Sequence, residues 1–166
     1  MWAPAGRKGK HILLLGKDDF FESIRFDDAA RTVYVEENNR VVVVVCTQGG
    51  EAMDDLKRLL EALAGCGEAA AIYKEQSFID VNDLFAEIFE RERGELEGLP
   101  ILDVCHNDSI EMIRDFMHRR TIENHGVPTN YTSAFITGKQ EKIMLNVIAI
   151  MLKHADEHVL LIVRKV

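Results

Sequence analysis

From Arg40 to Gly50 the chain reads RVVVVVCTQGG, and five consecutive valines narrow the choice of fold more than any other stretch. A strand with one wet face alternates apolar and polar residues. Val41 to Val45 do not, so layers are expected on both faces. The next segment sets Met53, Leu56, Leu60, Leu63 and Ala64 on one helical face, with Asp54, Asp55, Arg58 and Glu61 elsewhere. That is the pattern of a surface helix packed on a sheet. A strand, a turn and a helix in this order make the valine run the expected centre of a mostly parallel sheet. The Thr47 to Gly50 turn then falls at the carboxyl end of a core strand, where open α/β sheets place ligands.

The rest of the chain fits that frame. HILLLG at 11–16 reads as a first strand and GKDDFFESI as a short capped helix. TVYVE at 32–36 is joined to the valine run by EENN, too short for a crossover helix, which predicts one antiparallel hairpin. Gly65 and Gly67 end the first long helix, and 69–73 reads as a weak strand. Asp80 is expected to cap a helix carrying Val81, Leu84, Phe85 and Ile88. PILDVC at 100–105 reads as a strand. A helix follows, with Asn107 or Asp108 as cap, Glu111 closing a capping box, and Arg119 and Arg120 favourable to the dipole at its end. Residues 131–137 read as a strand. Residues 139–154 read as a helix that is apolar nearly all round, half-buried by a second subunit or buried inside the domain. Val159 to Val163 closes the chain as a strand. The expected fold is therefore α/β, a three-layer sandwich with a mostly parallel, Rossmann-like sheet plus one hairpin. Residues 1–10 form a flexible basic tail, and 11–166 a single domain.

Composition restricts the setting. With 28 acidic against 20 basic residues the net charge is −8, which disfavours nucleic acid as a partner. The longest apolar run, Ile143 to Leu152, is about half of the roughly 20 residues a membrane-spanning helix needs. Cys46, Cys66 and Cys105 show no CxxC spacing, and an odd number of thiols fits a reducing cytoplasm.

In a mostly parallel sheet, four polar turns share one rim: 16–19, 47–50, 106–109 and 137–139. Lys17, Gln48, Gly49, Gly50, Asn107 and Ser109 are the expected ligand contacts there, with His106 as acid/base and Asp108 as its orienter or a metal ligand. The two glycines let backbone amides approach an anion, although Glu51, Asp54 and Asp55 oppose it from the first helical turn. Cys105 beside a helix start is a nucleophile in one reading and a buried strand thiol in the other. His154 and His158 have i, i+4 spacing but straddle a helix end, which spoils a common face for a metal. Asp18 and Asp19 with Asp103 or Asp108 would suit Mg²⁺.

HILLLGKDDFF also resembles the opening of Toprim-type nuclease and primase domains, whose first strand ends in Glu-Gly-Lys-x-Asp. Leu15 stands where the family's catalytic glutamate belongs, and no Asp-x-Asp follows a later strand.

No motif identifies a reaction or a cofactor. The leading expectation is a cytoplasmic domain binding a small anionic ligand, a nucleotide or phosphorylated metabolite, with transfer or hydrolysis as the associated chemistry. The alternatives are a non-enzymatic homo-oligomeric assembly or regulatory subunit, joined through the 139–154 helix or the last strand, and a Mg²⁺-dependent Toprim-like nucleic-acid enzyme lacking the first-strand glutamate.

Overall fold

The computed structural model describes residues 12–14, 23–27, 32–37, 40–45, 52–122, 128, 130–151 and 158–166. Chain contacts divide it into two compact units, residues 1–62 and 63–166. The expected 1–10 tail lies outside the described residues, as do Cys46, the 47–50 turn, the 123–127 helix stop and His154.

The first unit holds a four-stranded antiparallel sheet in chain order: β1 (Ile12–Leu14), β2 (Ser23–Asp27), β3 (Thr32–Glu37) and β4 (Arg40–Val45). The hairpin is as its turn chemistry requires, with Thr32 opposite Val45 and Glu37 opposite Arg40. Two expectations fail here. Ser23 and Ile24 belong to a strand rather than a helix. The valine strand is not central, since among the described residues β4 pairs only with β3. A run without alternation reports covering of the two faces and says nothing about neighbours along the hydrogen-bonding direction. Because β1 is paired by an antiparallel β2, the chain does not open on the parallel strands of an α/β fold, and the Toprim-type reading goes with them.

Helix α1 (Ala52–Gly65) buries Leu56, Leu59, Leu60 and Leu63, and Gly67 turns with φ +83° directly behind it. The second unit is built on five strands: β5 (Ala69–Lys74), β6 (Ser77–Val81), β7 (Asn130–Ile136), β8 (Lys142–Met151) and β9 (Val159–Lys165). Their order is β6-β5-β9-β8-β7 and every pairing is antiparallel. The Rossmann-like parallel sheet is thereby overturned. The apolar runs that suggested it have another cause: this antiparallel sheet is buried on both faces. Leu145, Val147, Ala149, Leu161 and Val163 face one side, while Ile148, Ile150, Leu160 and Ile162 face the other, and all nine are buried. The expected 139–154 helix is strand β8 for the same reason. It is apolar all round because both of its faces are buried, and it is paired by β7 and β9 within the sheet, so the assembly-subunit reading and the oligomer contact drawn from this helix lose their basis.

Helices α2 (Asp83–Phe89), α3 (Arg93–Leu96) and α4 (Asn107–Ile122), with a 3-10 turn at Ile101–Val104, fill the connection from β6 to β7. PILDVC is this turn and not a strand; Ile101 and Val104, three apart, are its buried residues. Asn82 caps α2 by accepting from Phe85 N at 3.0 Å, and Asp80 lies in β6, where it takes a 2.9 Å contact from Arg93. The helix α4 starts at Asn107, but His106 satisfies its amino end: the His106 carbonyl accepts from Ser109 N at 2.8 Å and Nδ1 from Asp108 N at 3.3 Å.

Residues 98–109 serve both edges of the sheet. At the β6 edge Phe78 N donates to Leu99 O, Gly98 N to Phe78 O and Ile101 N to Gln76 O. At the β7 edge His106 N donates to Ala134 O, and Ala134 N to the Ser109 hydroxyl at 3.0 Å. One segment thus pairs polar groups that an open sheet edge would leave exposed. At the β7–β8 turn, a Cβ on Gly138 would stand 2.5 Å from the Glu90 carbonyl, while Gly138 N donates to Phe89 O at 2.8 Å. Only glycine lets this turn seat against the end of α2.

Candidate functional site

The rim of four turns required parallel strands, and antiparallel strands send successive ends to opposite sides. Lys17, Gln48, Gly49 and Gly50 lie outside the described residues. His106, Asn107, Asp108 and Ser109 stand together at the start of α4. Ser109 is buried on its bond to β7. Asp108 is exposed and accepts from Lys142 Nζ at 2.7 Å, which holds its carboxyl below the usual carboxylate range, while Asn107 is exposed. His106 Nδ1 also lies 3.2 Å from the Asp108 carboxylate, a contact that becomes an ion pair only on a protonated ring. Among the described residues no group of three acidic, histidine or cysteine side chains is placed to hold a metal.

Cys105 is 3% exposed, and its thiol donates to Ile101 O at 3.2 Å. Burial, reinforced by the Asp103 charge, pushes the thiol up to about 12. The buried-thiol reading therefore holds, since a nucleophilic cysteine needs its thiolate near neutrality. Treatment of the native protein with iodoacetamide at pH 8 is expected to leave Cys105 unlabelled until denaturant is added. Peptide mass spectrometry checks this, and rapid native labelling would contradict it.

Most of what the second unit encloses was not singled out from the sequence. One face of the sheet and the helices of the β6–β7 connection surround an aromatic-lined pocket. Phe78, Phe85, Phe89 and Phe135 follow one another with ring centroids 5.5, 4.7 and 5.8 Å apart, alternating edge-on and stacked contacts. Ile113 and Met117 of α4 and Val147, Leu161 and Val163 of the sheet close the walls. The cavity left between them is about 10 Å³, the room of one water.

Polar groups reach this apolar enclosure at its wall. Tyr73 and Tyr131 line it. Burial raises both phenols above their ordinary range, with the Arg120 charge pulling part of the way back, so at neutral pH they remain uncharged. Arg120 is 6% exposed and donates to Pro128 O at 3.0 Å. Its neighbour Arg119 pairs with Asp115 at 2.6 Å in the helix-end role expected of both. Ser133 is 2% exposed and its hydroxyl has no hydrogen-bond partner among the described residues. It lies between Tyr131 and Phe135 on the same face of β7, opposite Leu145.

One signal for this site was present in the sequence. Ile113, Met117 and Arg120 have the i, i+4, i+7 spacing of a single helix stripe, so the stripe that packs into the core ends in a cation.

No family model and no curated protein matches the chain. Solved structures do. The PAS domain of a protein from Colwellia psychrerythraea is 14% identical, with 67% of this chain and 96% of that chain covered and a TM-score of 0.52. A domain of the sensory box sensor histidine kinase/response regulator from Geobacter sulfurreducens is 17% identical, with 70% and 100% covered and a TM-score of 0.52. The fold is PAS-like. A five-stranded antiparallel PAS-like sheet with a helical connection replaces the parallel sheet on which the nucleotide-binding and transferase or hydrolase expectations were built. Among the described residues no helix of this PAS-like chain is long and apolar enough to cross a membrane.

Proposed function

We propose that residues 63–166 act as a PAS-type sensory module. A small, largely apolar ligand is taken into the aromatic pocket, and its occupancy regulates whatever the module is joined to. The observation that carries this reading is the pocket itself: a water-sized space walled by four phenylalanines and two tyrosines, between the sheet and the helices that span its edges. Likeness to a PAS domain and to a domain of a protein described as a sensor histidine kinase supports the sensory side. Occupying the pocket moves α2 or α4, and residues 98–109 hold both sheet edges, so a change inside reaches the surface through elements already bonded to it. Free thiols at Cys66 and Cys105 fit a cytoplasmic setting.

The test is a thermal-shift and amide NMR screen of the full chain against short alcohols, ketones, small aromatics and small organic acids. A ligand of the native state present at 100 times its Kd adds about 2.7 kcal/mol of stability. The expected result is a raised Tm with shifted amides in α2, α4 and β7. No response from any of these classes would overturn the reading.

A further inference from the structure

We infer that the β7–β8 turn, residues 137–142, is the output switch of the module: it clasps the end of α2, and an occupant of the pocket opens that clasp by displacing Phe89. This rests on the sensory reading above and adds the element that carries its signal to the surface.

The turn moves as one piece. Thr137 N donates to Glu141 O at 2.9 Å and Gln140 N to Thr137 O at 3.0 Å, while the Thr137 hydroxyl accepts from Lys139 N at 3.2 Å and from Glu141 N at 3.3 Å. Two helices that wall the pocket meet it. On the α4 side Lys142 reaches Asp108, and two further bonds, His106 N to Ala134 O and Ala134 N to the Ser109 hydroxyl, fix the start of that helix to β7. On the α2 side the turn is held by Gly138 N on Phe89 O at 2.8 Å and by the Lys139 ammonium on Glu90 at 2.7 Å. The second contact is exposed, and exposed ion pairs contribute little. The backbone bond to Phe89 is therefore what keeps the turn seated.

That bond ends on a residue of the pocket wall. The cavity holds about one water, so a larger occupant requires a lining side chain to give way. Phe78 and Phe135 belong to paired strands, and Phe85 N is fixed on Asn82. Phe89 is the last residue of α2, and its carbonyl accepts from the turn. Moving it breaks the contact with the turn before any bond of the sheet. The next residue is poised to follow: Glu90 stands in the left-handed region at φ +51°, where a side chain is held only under constraint, and a Cβ on Gly138 would come within 2.5 Å of its carbonyl. Loss of the Phe89 bond lets this strained helix end relax, and the turn comes free on one side.

The experiment follows amide exchange by NMR in the full chain with benzene, butanol, butanone or butanoate added. A probe that binds the native state slows exchange that proceeds through global unfolding. Against that trend the Gly138 amide is expected to exchange roughly tenfold faster with a probe in the pocket, while the Ser109 and Ala134 amides do not. In Phe89→Ala, benzene enters space already vacated, so it is expected to bind without speeding Gly138. Gly138→Ala opens the clasp through its Cβ and is expected to raise probe affinity several-fold, since the ligand no longer has to drive the opening. If that variant does not fold, exchange in the wild type decides. Probe binding to the wild type with Gly138 slowed like its neighbours, or an affinity that Gly138→Ala leaves unchanged or lowers, overturns the switch and leaves the sensory reading standing. Binding of no probe to the wild type overturns both.

Discussion

Phe89→Ala is expected to cost about 3–5 kcal/mol of stability, the usual range for removing a buried phenylalanine. Phe89 is 1% exposed and stands in the middle of the ring sequence, stacked on Phe85 at 4.7 Å and edge-on to Phe135 at 5.8 Å. Deleting it removes two aromatic contacts and leaves a space bounded by the helix on one side and the sheet on the other. Collapse is resisted at the end of α2, where Gly138 N is bonded to the Phe89 carbonyl at 2.8 Å. Domains of this size are stable by only about 5–15 kcal/mol, so the loss is a large fraction of the total. A lower urea midpoint with an unchanged slope is the measurement. Apolar cavities made in this way stay dry and accept small aromatics, so benzene is expected to restore part of the lost stability to Phe89→Ala and to stabilise that variant more than the wild type. A loss below about 1.5 kcal/mol would mean that the site collapses after all, and that the rings do not wall a pocket.

Why the sequence led elsewhere is clearest in β8. Its ten residues, KIMLNVIAIM, are apolar beyond any one-face pattern, and a short buried run of this length is compatible with helix or strand. The β-branched content of Ile143, Val147, Ile148 and Ile150 favoured the strand. The decisive information was nonlocal: the run is paired on both sides, by β7 and β9, and buried on both faces. The same double burial imitated the signature of a parallel sheet, and the parallel sheet in turn generated a rim of turns that antiparallel strands cannot assemble. Local signals fared better. The β3–β4 hairpin, the glycine stop of α1 and the helix after His106 were legible because each depends on residues close in sequence, although His106 and not Asn107 or Asp108 stands at that helix's amino end. The pocket was not, because it is assembled from all five strands β5 to β9, α2, the 3-10 turn and α4. The α4 stripe of Ile113 and Met117 was its one local trace.

Asn82→Ala is expected to lower stability by roughly 2–4 kcal/mol although it removes no apolar surface, because buried polar groups left without partners each cost about 1–3 kcal/mol. Asn82 is 4% exposed and joins three segments through one amide. Its Oδ1 accepts from Phe85 N at 3.0 Å, capping α2, and from Ala70 N of β5 at 3.1 Å; its Nδ2 donates to Glu68 O at 2.8 Å. The main chain adds a fourth link, Asn82 N to Ala70 O at 2.9 Å. Asp80, the residue expected to cap this helix, is two positions too early, since the strand β6 runs to Val81 before the chain turns. Aspartate in place of Asn82 would accept the two amide hydrogens but could not donate to Glu68 O, which explains why an amide rather than a carboxylate stands here. Loss of the helix cap alone is worth about 1 kcal/mol. The prediction therefore distinguishes a cap from a clamp: Asn82→Ser, which keeps a hydroxyl for Phe85 N and is too short to reach Glu68, is expected to fall between wild type and Asn82→Ala. Hydrogen exchange locates the difference, with the Ala70 and Phe85 amides losing protection together in Asn82→Ala. A cost near 1 kcal/mol, with Ala70 still protected, would show that β5 and α2 are held together by the aromatic packing of Phe78, Phe85 and Phe89 and not by this side chain.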